Sequence, residues 1–434
     1  MSPNLKVISA IEQLNYRVMV GDVAVQSGLD LQVAQQALLA LASDAGGHMQ
    51  VTETGEVAYL FARNFRTILQ AKSLKLRLLA LWQQIWRVLF YLIRISFGIL
   101  LILSICIIAI AILIIIIATF FKDSDSSDNG GSRGDGFGGF PIGWIFSDWY
   151  YFFSPSPYSK PQRTSSFSTK QDSMNFLEAV FSFLFGDGNP NQNLEERRWR
   201  AIGQTLKYFE GAVIAEQVVP YLDSFDDGQT VDDKMLPVLL RFNGQPQVDP
   251  NGEIVYHFPE LQTSAKSERS TAIAPFLKES LWGFSKASSG QVMGAIGLGC
   301  LNLIGALVLG NLMSTSGLGG SLGFVSAIYP VLLAYGTGFL AIPLGRYFWN
   351  QWQNKRIAVR NQYRERSAKL LVNPTEQLKS KIDFTRQFAR TTQIDDLPLA
   401  YTTEKDVLEQ EAENQAAIEA EWLKRIDQST SHNT

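Results

Sequence analysis

Cysteine and histidine are scarce in this chain, and charge is thin. Its 434 residues hold two cysteines, Cys106 and Cys300, each inside an apolar run. Two distant cysteines supply neither a disulfide framework nor metal-ligand spacing. Iron–sulfur clusters are usually held by four cysteine ligands, so the chain is not expected to ligate one alone. Three histidines, His48, His257 and His432, leave little for a metal site or an imidazole base. Neither a metal nor another cofactor is expected. Charged residues make up 18%, below the roughly 25% of an average soluble protein. Net charge is -3, so the basic excess of a nucleic-acid binder is missing. The Gly-rich stretch GGSRGDGFGG lacks the Lys-Ser/Thr ending of a phosphate loop. No Gly-x-Ser-x-Gly elbow accompanies a usable His and Asp. The paired acids Asp226/Asp227 and Asp232/Asp233 read as solvated loop surface. These absences point to a chain that is not an enzyme and has no catalytic residues. Residues 1–30 show neither a secretory signal nor an Arg/Ser-rich transit peptide, the expectation for a bacterial protein or a mature organelle protein.

What is present is strongly segregated, although mean hydropathy is only +0.02. Residues 95–121 carry no charge, and twelve of these 27 are isoleucine. About 20 apolar residues cross a bilayer, so this run predicts a membrane helix. Ahead of it, residues 80–94 hold two Trp, a Tyr and two Arg, an interfacial composition. The two stretches form one predicted region, 80–121. A second charge-free block, 287–345, predicts a hairpin of two spans near 291–313 and 322–345. Its thirteen glycines favour close helix packing and allow homo-oligomers through Gly-rich helices. No ionisable residue lies inside any predicted span, which disfavours a channel or carrier. Basic residues flank the first span on its N-terminal side, from Arg63 to Arg94, with no acid between Ala62 and Phe121. The positive-inside bias therefore predicts an N-terminus on the cytoplasmic or stromal side. A second basic cluster, Arg346 to Lys369, predicts the same side for the tail. Three spans cannot satisfy both signals, and the number of crossings stays open.

The sequence also repeats itself. Residues 50–61, QVTETGEVAYLF, match residues 247–258, QVDPNGEIVYHF, at six of twelve positions. Each reads as a β-hairpin around turn residues. Helical patterns precede both: Val7–Leu14, Val20–Ser27 and Asp30–Ala42 in the first copy, with Asp30 as a cap. In the second they cover Glu195–Tyr208, Ile214–Leu222 and Asp232–Leu240. Helix–helix–helix–hairpin is the winged-helix order, predicted for residues 1–65 and 175–262. A DNA-reading winged helix needs basic residues on its third helix. Here that helix, DLQVAQQALLALASD, has none, and the second copy is acidic there. Gln32, Gln35 and Gln36 remain as candidate contacts, for a protein partner more readily than for bases.

Residues 122–174 form a Gly/Ser-rich and then aromatic linker. Trp144, Trp149, Tyr150 and Tyr151 suit either the bilayer interface or a partner surface. At about 14 residues the aromatic stretch is too short to span. Residues 174–186 read as an amphipathic helix for the membrane surface or the second repeat. Residues 346–434 read as a charged helical tail, in which Trp422 is a candidate docking residue on an exposed helix.

The segment MNFLEAVFSFLFGDGNPNQNLEERRWRAIGQTLKYFEGAVIAEQVVPYLD, 174–223, resembles a family of membrane proteins shared by cyanobacteria and chloroplasts. Plant members of that family are labelled "iron–sulfur cluster biosynthesis family protein". The likeness extends over most of the chain. It implies a cyanobacterial plasma or thylakoid membrane, or a chloroplast membrane, and contributes no catalytic residues. The expected fold is therefore a mainly α membrane protein: three hydrophobic membrane helices, two winged-helix-like α+β modules and a helical C-terminal tail. The expected function is a non-catalytic scaffold or assembly factor binding lipids and unidentified proteins. The resemblance implies a link to biogenesis of photosynthetic or Fe–S proteins. Alternatives are a membrane-tethered winged-helix DNA-binding regulator and a channel or carrier.

Overall fold

In the computed structural model, described residues are 5–72, 74–124, 174–222, 230–250, 252–265, 273–315, 323–394 and 397–406, with positions 408–412, 415, 418–419 and 422–423. They are mostly helical. Two compact units result: residues 1–90, 188–283 and 348–434 belong to one, and 91–187 and 284–347 to the other.

The first unit begins α1 (Leu5–Gln13), β1 (Arg17–Met19), α2 (Val20–Ser27), α3 (Leu31–Ala45), β2 (His48–Thr52) and β3 (Val57–Leu60). The predicted cap holds: the Asp30 carboxylate accepts from the Gln32 N–H at 2.9 Å. Asp30 thereby satisfies one of the orphan donors at the start of α3. Helix α4 (Phe65–Lys72) follows. The order recurs downstream as α7 (Leu194–Tyr208), β4 (Ala212–Val213), α8 (Ala215–Val218), α9 (Leu236–Phe242), β5 (Gln245–Val248) and β6 (Ile254–His257). Strand pairing recurs too. Val18 and Met49 flank Tyr59, and Val213 and Pro246 flank Tyr256. Before the first strand, Asn15 and Tyr16 have φ of 59° and 68°, and Glu210 and Gly211 have 56° and 74°. The closing bond is shared: Phe61 N–H donates to Tyr16 O at 2.8 Å, and Phe258 N–H to Gly211 O at 2.7 Å.

Both halves drain into one hydrophobic core. Val7, Leu38 and Phe61 belong to the same buried cluster as Ile202, Val213, Phe258 and Leu277. Helix α2 packs on α7. The tail joins this unit as well. Helix α12 (Glu376–Thr385) packs on β4 and β6. The expected all-helical tail gives way after Thr385 to β8 (Thr392–Gln393) and β9 (Leu399–Thr402). Strand β8 pairs in parallel with β7 (Thr263–Ser264). Strand β9 adds to β2, giving the order β1-β3-β2-β9. The reason lies in the sequence: Thr391, Thr392, Leu399, Tyr401, Thr402 and Thr403 favour extended backbone, and Pro398 removes a helical donor.

The second unit is built on apolar helices. Helix α5 (Leu74–Ser124) contributes its residues from Tyr91 onward. Helix α6 (Phe176–Phe185), α10 (Ser289–Thr315) and the first half of α11 (Gly323–Val372) complete it. Among the described residues three helices are long and apolar enough to cross a membrane, within Gln84–Thr119, Ser289–Thr315 and Gly323–Val372. One buried layer joins Leu101, Ile105, Val180, Phe183, Leu184, Ala295 and Phe339. A second, further along the helices, joins Ile108, Ala111, Ile115, Ala306, Leu309, Val325 and Leu332. Helix α6 enters only the first layer. The amphipathic segment around residue 180 thus packs among the long helices.

Candidate functional site

Burying a charge is tolerable only when it is paired and hydrogen-bonded, so each buried charge is a test for reactive leftovers. Glu279 is 3% exposed and Arg364 is fully buried. Arg364 donates to Glu279 at 2.8 Å and to the Leu277 carbonyl at 3.1 Å. Arg360 Nε donates to Glu279 at 2.7 Å. Burial pushes the Glu279 carboxyl up, but Arg360 and Arg364 outweigh it and hold its pKa below the usual value. Around this pair, α11 reads the backbone of residues 277–283. Asn361 exchanges two bonds with the Glu279 backbone, both 2.9 Å. Asn354 does the same with Trp282, at 2.7 and 3.0 Å. Asn350, Asn354, Asn361 and Arg364 recur at helical spacing, so one face of α11 grips a segment that has no regular structure of its own.

Asp22 and Lys381 are buried and paired as well. Lys207 pairs with Asp22, whose second oxygen accepts from the Ala265 N–H at 3.0 Å. Lys381, 4% exposed, lies 3.2 Å from Glu216 and 3.5 Å from Glu253. Burial lowers the Lys381 pKa, but Glu216, Asp232 and Glu253 raise it further, so the net direction is up. The Tyr256 hydroxyl donates to Asp232 at 2.8 Å, and burial together with that acid pushes its pKa well above 10.

In the second unit, Asp187 of the FGDGNPN stretch lies 3.7 Å from Arg94. It accepts from the Ser182 hydroxyl and the Lys286 N–H, both at 2.7 Å. Arg346 donates to the Ser182 and Phe183 carbonyls at 3.2 and 2.7 Å, completing the open C-terminal end of α6. Gly186 has φ of 79°, and a Cβ there would strike Arg346. Deeper in the unit, the Ser104 hydroxyl donates to Asn302 at 2.9 Å. Among the described residues no group of three or more His, Cys, Asp or Glu is placed to hold a metal.

The predicted contact residues fall in three places. Gln32, Gln35 and Gln36 are exposed on α3. Gln35 and Gln36 line an open depression with Leu39, Ala40 and Ser43. Trp422 is helical and 67% exposed. Trp144, Trp149, Tyr150 and Tyr151 lie outside the described residues. Sequence reading missed the α11 face altogether, although its Asn/Arg periodicity was there to be found. At the start of α5, Trp82 and Trp86 stack at 6.2 Å, both exposed. On α11, Arg356 lies 4.9 Å over the Trp352 ring. Aromatic and basic groups in this combination suit a headgroup layer.

No family model matches the chain, and no solved structure matches it. The uncharacterized chloroplastic protein At5g03900 of Arabidopsis thaliana is 37% identical over 437 aligned positions, spanning 97% of this chain and 82% of that protein. Identity at that level over nearly the whole chain fixes kinship: this chain belongs to the plant and chloroplast protein family that includes At5g03900.

Proposed function

We propose that the chain is a non-catalytic integral protein of a plastid or cyanobacterial membrane, acting as a scaffold or assembly factor that docks other proteins. On this reading the two α+β modules are a repeated winged helix. Support comes from the shared order of helices and strands and from the matching positions of Tyr59 and Tyr256 between their neighbours. The observation that carries the docking role is the outer face of α3. That helix has no Lys or Arg, yet it exposes Val33 and Leu39 beside its glutamines. A neutral, partly apolar helix face suits a protein and repels no acidic partner, whereas duplex DNA would need basic groups there. The link to Fe–S or photosynthetic protein biogenesis rests on the family resemblance alone.

The test is photo-crosslinking from Gln36 and Leu39 in the full chain, in native membranes, followed by mass spectrometry. Reproducible adducts that vanish with Leu39→Asp support the reading. Adducts to nothing but lipid, together with salt-sensitive binding of the detergent-solubilised chain to duplex DNA, would replace it with the regulator.

A further inference from the structure

Helix α5 leaves one face uncovered along most of its length. Leu78, Trp82, Ile85, Leu89 and Leu92 follow one another at alternating steps of four and three residues. Ser96 takes the next place, and its hydroxyl is satisfied by the Ile93 carbonyl at 2.8 Å. The alternation then continues through Ile99, Leu103, Cys106, Ile110, Leu113 and Ile117. The Leu, Ile and Trp side chains of this seam are 42–65% exposed, and Cys106 is exposed as well.

The opposite face is occupied. Leu101, Ser104, Ile108, Ala111 and Ile115 are buried, at steps of three and four. They pack against residues of α10 and α11. Arg87 and Arg94 precede Leu101, Ile108 and Ile115 at intervals of seven residues, so both charges belong to that face and neither interrupts the open seam. A spacing of 3.5 residues held this long is the period of a left-handed helix pair. A face merely bathed in lipid requires no such period.

Lipid can cover only part of the seam. From Leu78 to Ile117 the helix rises about 58 Å at ~1.5 Å per residue. A hydrocarbon core is about 30 Å thick. The charge-free sequence begins at Ile95, so residues 78–92 are the part that acyl chains leave bare. An occupant must be an apolar helix that leaves the membrane in the same direction and stays apolar for a similar distance. A second copy of α5 meets each condition. Copies inserted in the same sense are parallel, so each seam residue faces its own counterpart. One open seam per copy then closes on a two-fold axis. Resting on the membrane reading above, we infer that two copies of the chain associate in parallel along this α5 seam, inside the bilayer and beyond it.

The experiment is cysteine pairing in the full chain, in native membranes. Alkaline extraction comes first: release of the chain would overturn the membrane reading, while the pairing pattern judges the dimer by itself. With Cys300→Ala, Cys106 is the one remaining thiol. It should give a disulfide-linked dimer on treatment with membrane-permeant copper phenanthroline. In a background of Cys106→Ala and Cys300→Ala, single cysteines are placed by Ile85→Cys, Leu92→Cys and Leu103→Cys. These should pair at least tenfold more than Phe90→Cys and Tyr91→Cys, which are exposed off the seam. Chains co-expressed with two different tags should be recovered together in the product. Equal yields on and off the seam, no dimer at the seam positions, or products that join one tagged chain to a different protein would overturn the pairing.

Discussion

Arg364 reaches Glu279 at 2.8 Å with both side chains removed from solvent, 85 residues apart in the chain. Removing one partner of a buried pair typically costs about 3–5 kcal/mol, because the other charge is left uncompensated. Arg364→Ala should lower the stability of the full chain by that order, read from denaturant midpoints in detergent. Replacement of both residues, Glu279→Leu with Arg364→Leu, should cost less than the single change. A double variant as damaged as Arg364→Ala would show that the pair is not what holds residues 277–283.

The same carboxylate sets an acid limit. Despite its burial, Arg360 and Arg364 hold the folded pKa of Glu279 below that of an ordinary glutamate. Its stabilisation is therefore complete above about pH 4.5 and is lost as pH falls through the lower folded value. Unfolding midpoints of the native chain should drop more steeply below pH 4.5 than those of Glu279→Gln. Parallel acid profiles for the two proteins would contradict this.

Ser104 and Asn302 meet inside the apolar unit, and the Asn302 amide nitrogen has no hydrogen-bond partner among the described residues. Ser104→Ala removes the hydroxyl that donates to the Asn302 oxygen. It should destabilise by roughly 0.6–2 kcal/mol, the range for polar contacts between membrane helices. Asn302→Leu removes an unsatisfied donor along with the bond and should cost less. Thermal aggregation of the detergent-solubilised chain would rank the two variants.

Gly186 combines a positive φ with the close approach of Arg346. Gly186→Ala should strain the backbone and push Arg346 off the α6 carbonyls, at about 1–3 kcal/mol. Arg346→Met should give a similar loss, and the double variant less than the sum. Full additivity would separate the two effects.

The tail strand shields an edge. Without residues 399–434, β2 would present its outer donors and acceptors to solvent or to another chain. Hydrogen exchange at Met49 and Val51 should accelerate in the truncated protein, and dimers should form at high concentration. Unchanged exchange would mean that β9 adds nothing to the sheet.

Much of this was readable in the sequence. Helix α2 begins at Val20 and ends at Ser27, where the pattern put it, and the Asp30 cap is in place. The hairpins fall on the two matching dodecamers because alternation and turn residues are local signals. The tail strands were not legible, since β8 and β9 are two and four residues long and owe their form to partners far away in the chain. The α11 grip was missed for a related reason. Asn350, Asn354, Asn361 and Arg364 look like a solvated face until residues 277–283 are laid against them. The candidate docking residues divide likewise: a local period placed the glutamines on one exposed face of α3.

Strand β9 also sets a schedule. Met49 donates to Thr403, a partner 354 residues later. At ~5–20 residues per second, synthesis separates the two by roughly 20–70 s. During that interval the ribosome delivers every apolar helix, while the first-made sheet waits with an open edge. A nascent chain stalled before residue 399 is thus the form most in need of a chaperone. The final edge of the N-terminal module closes only as the last strand leaves the exit tunnel.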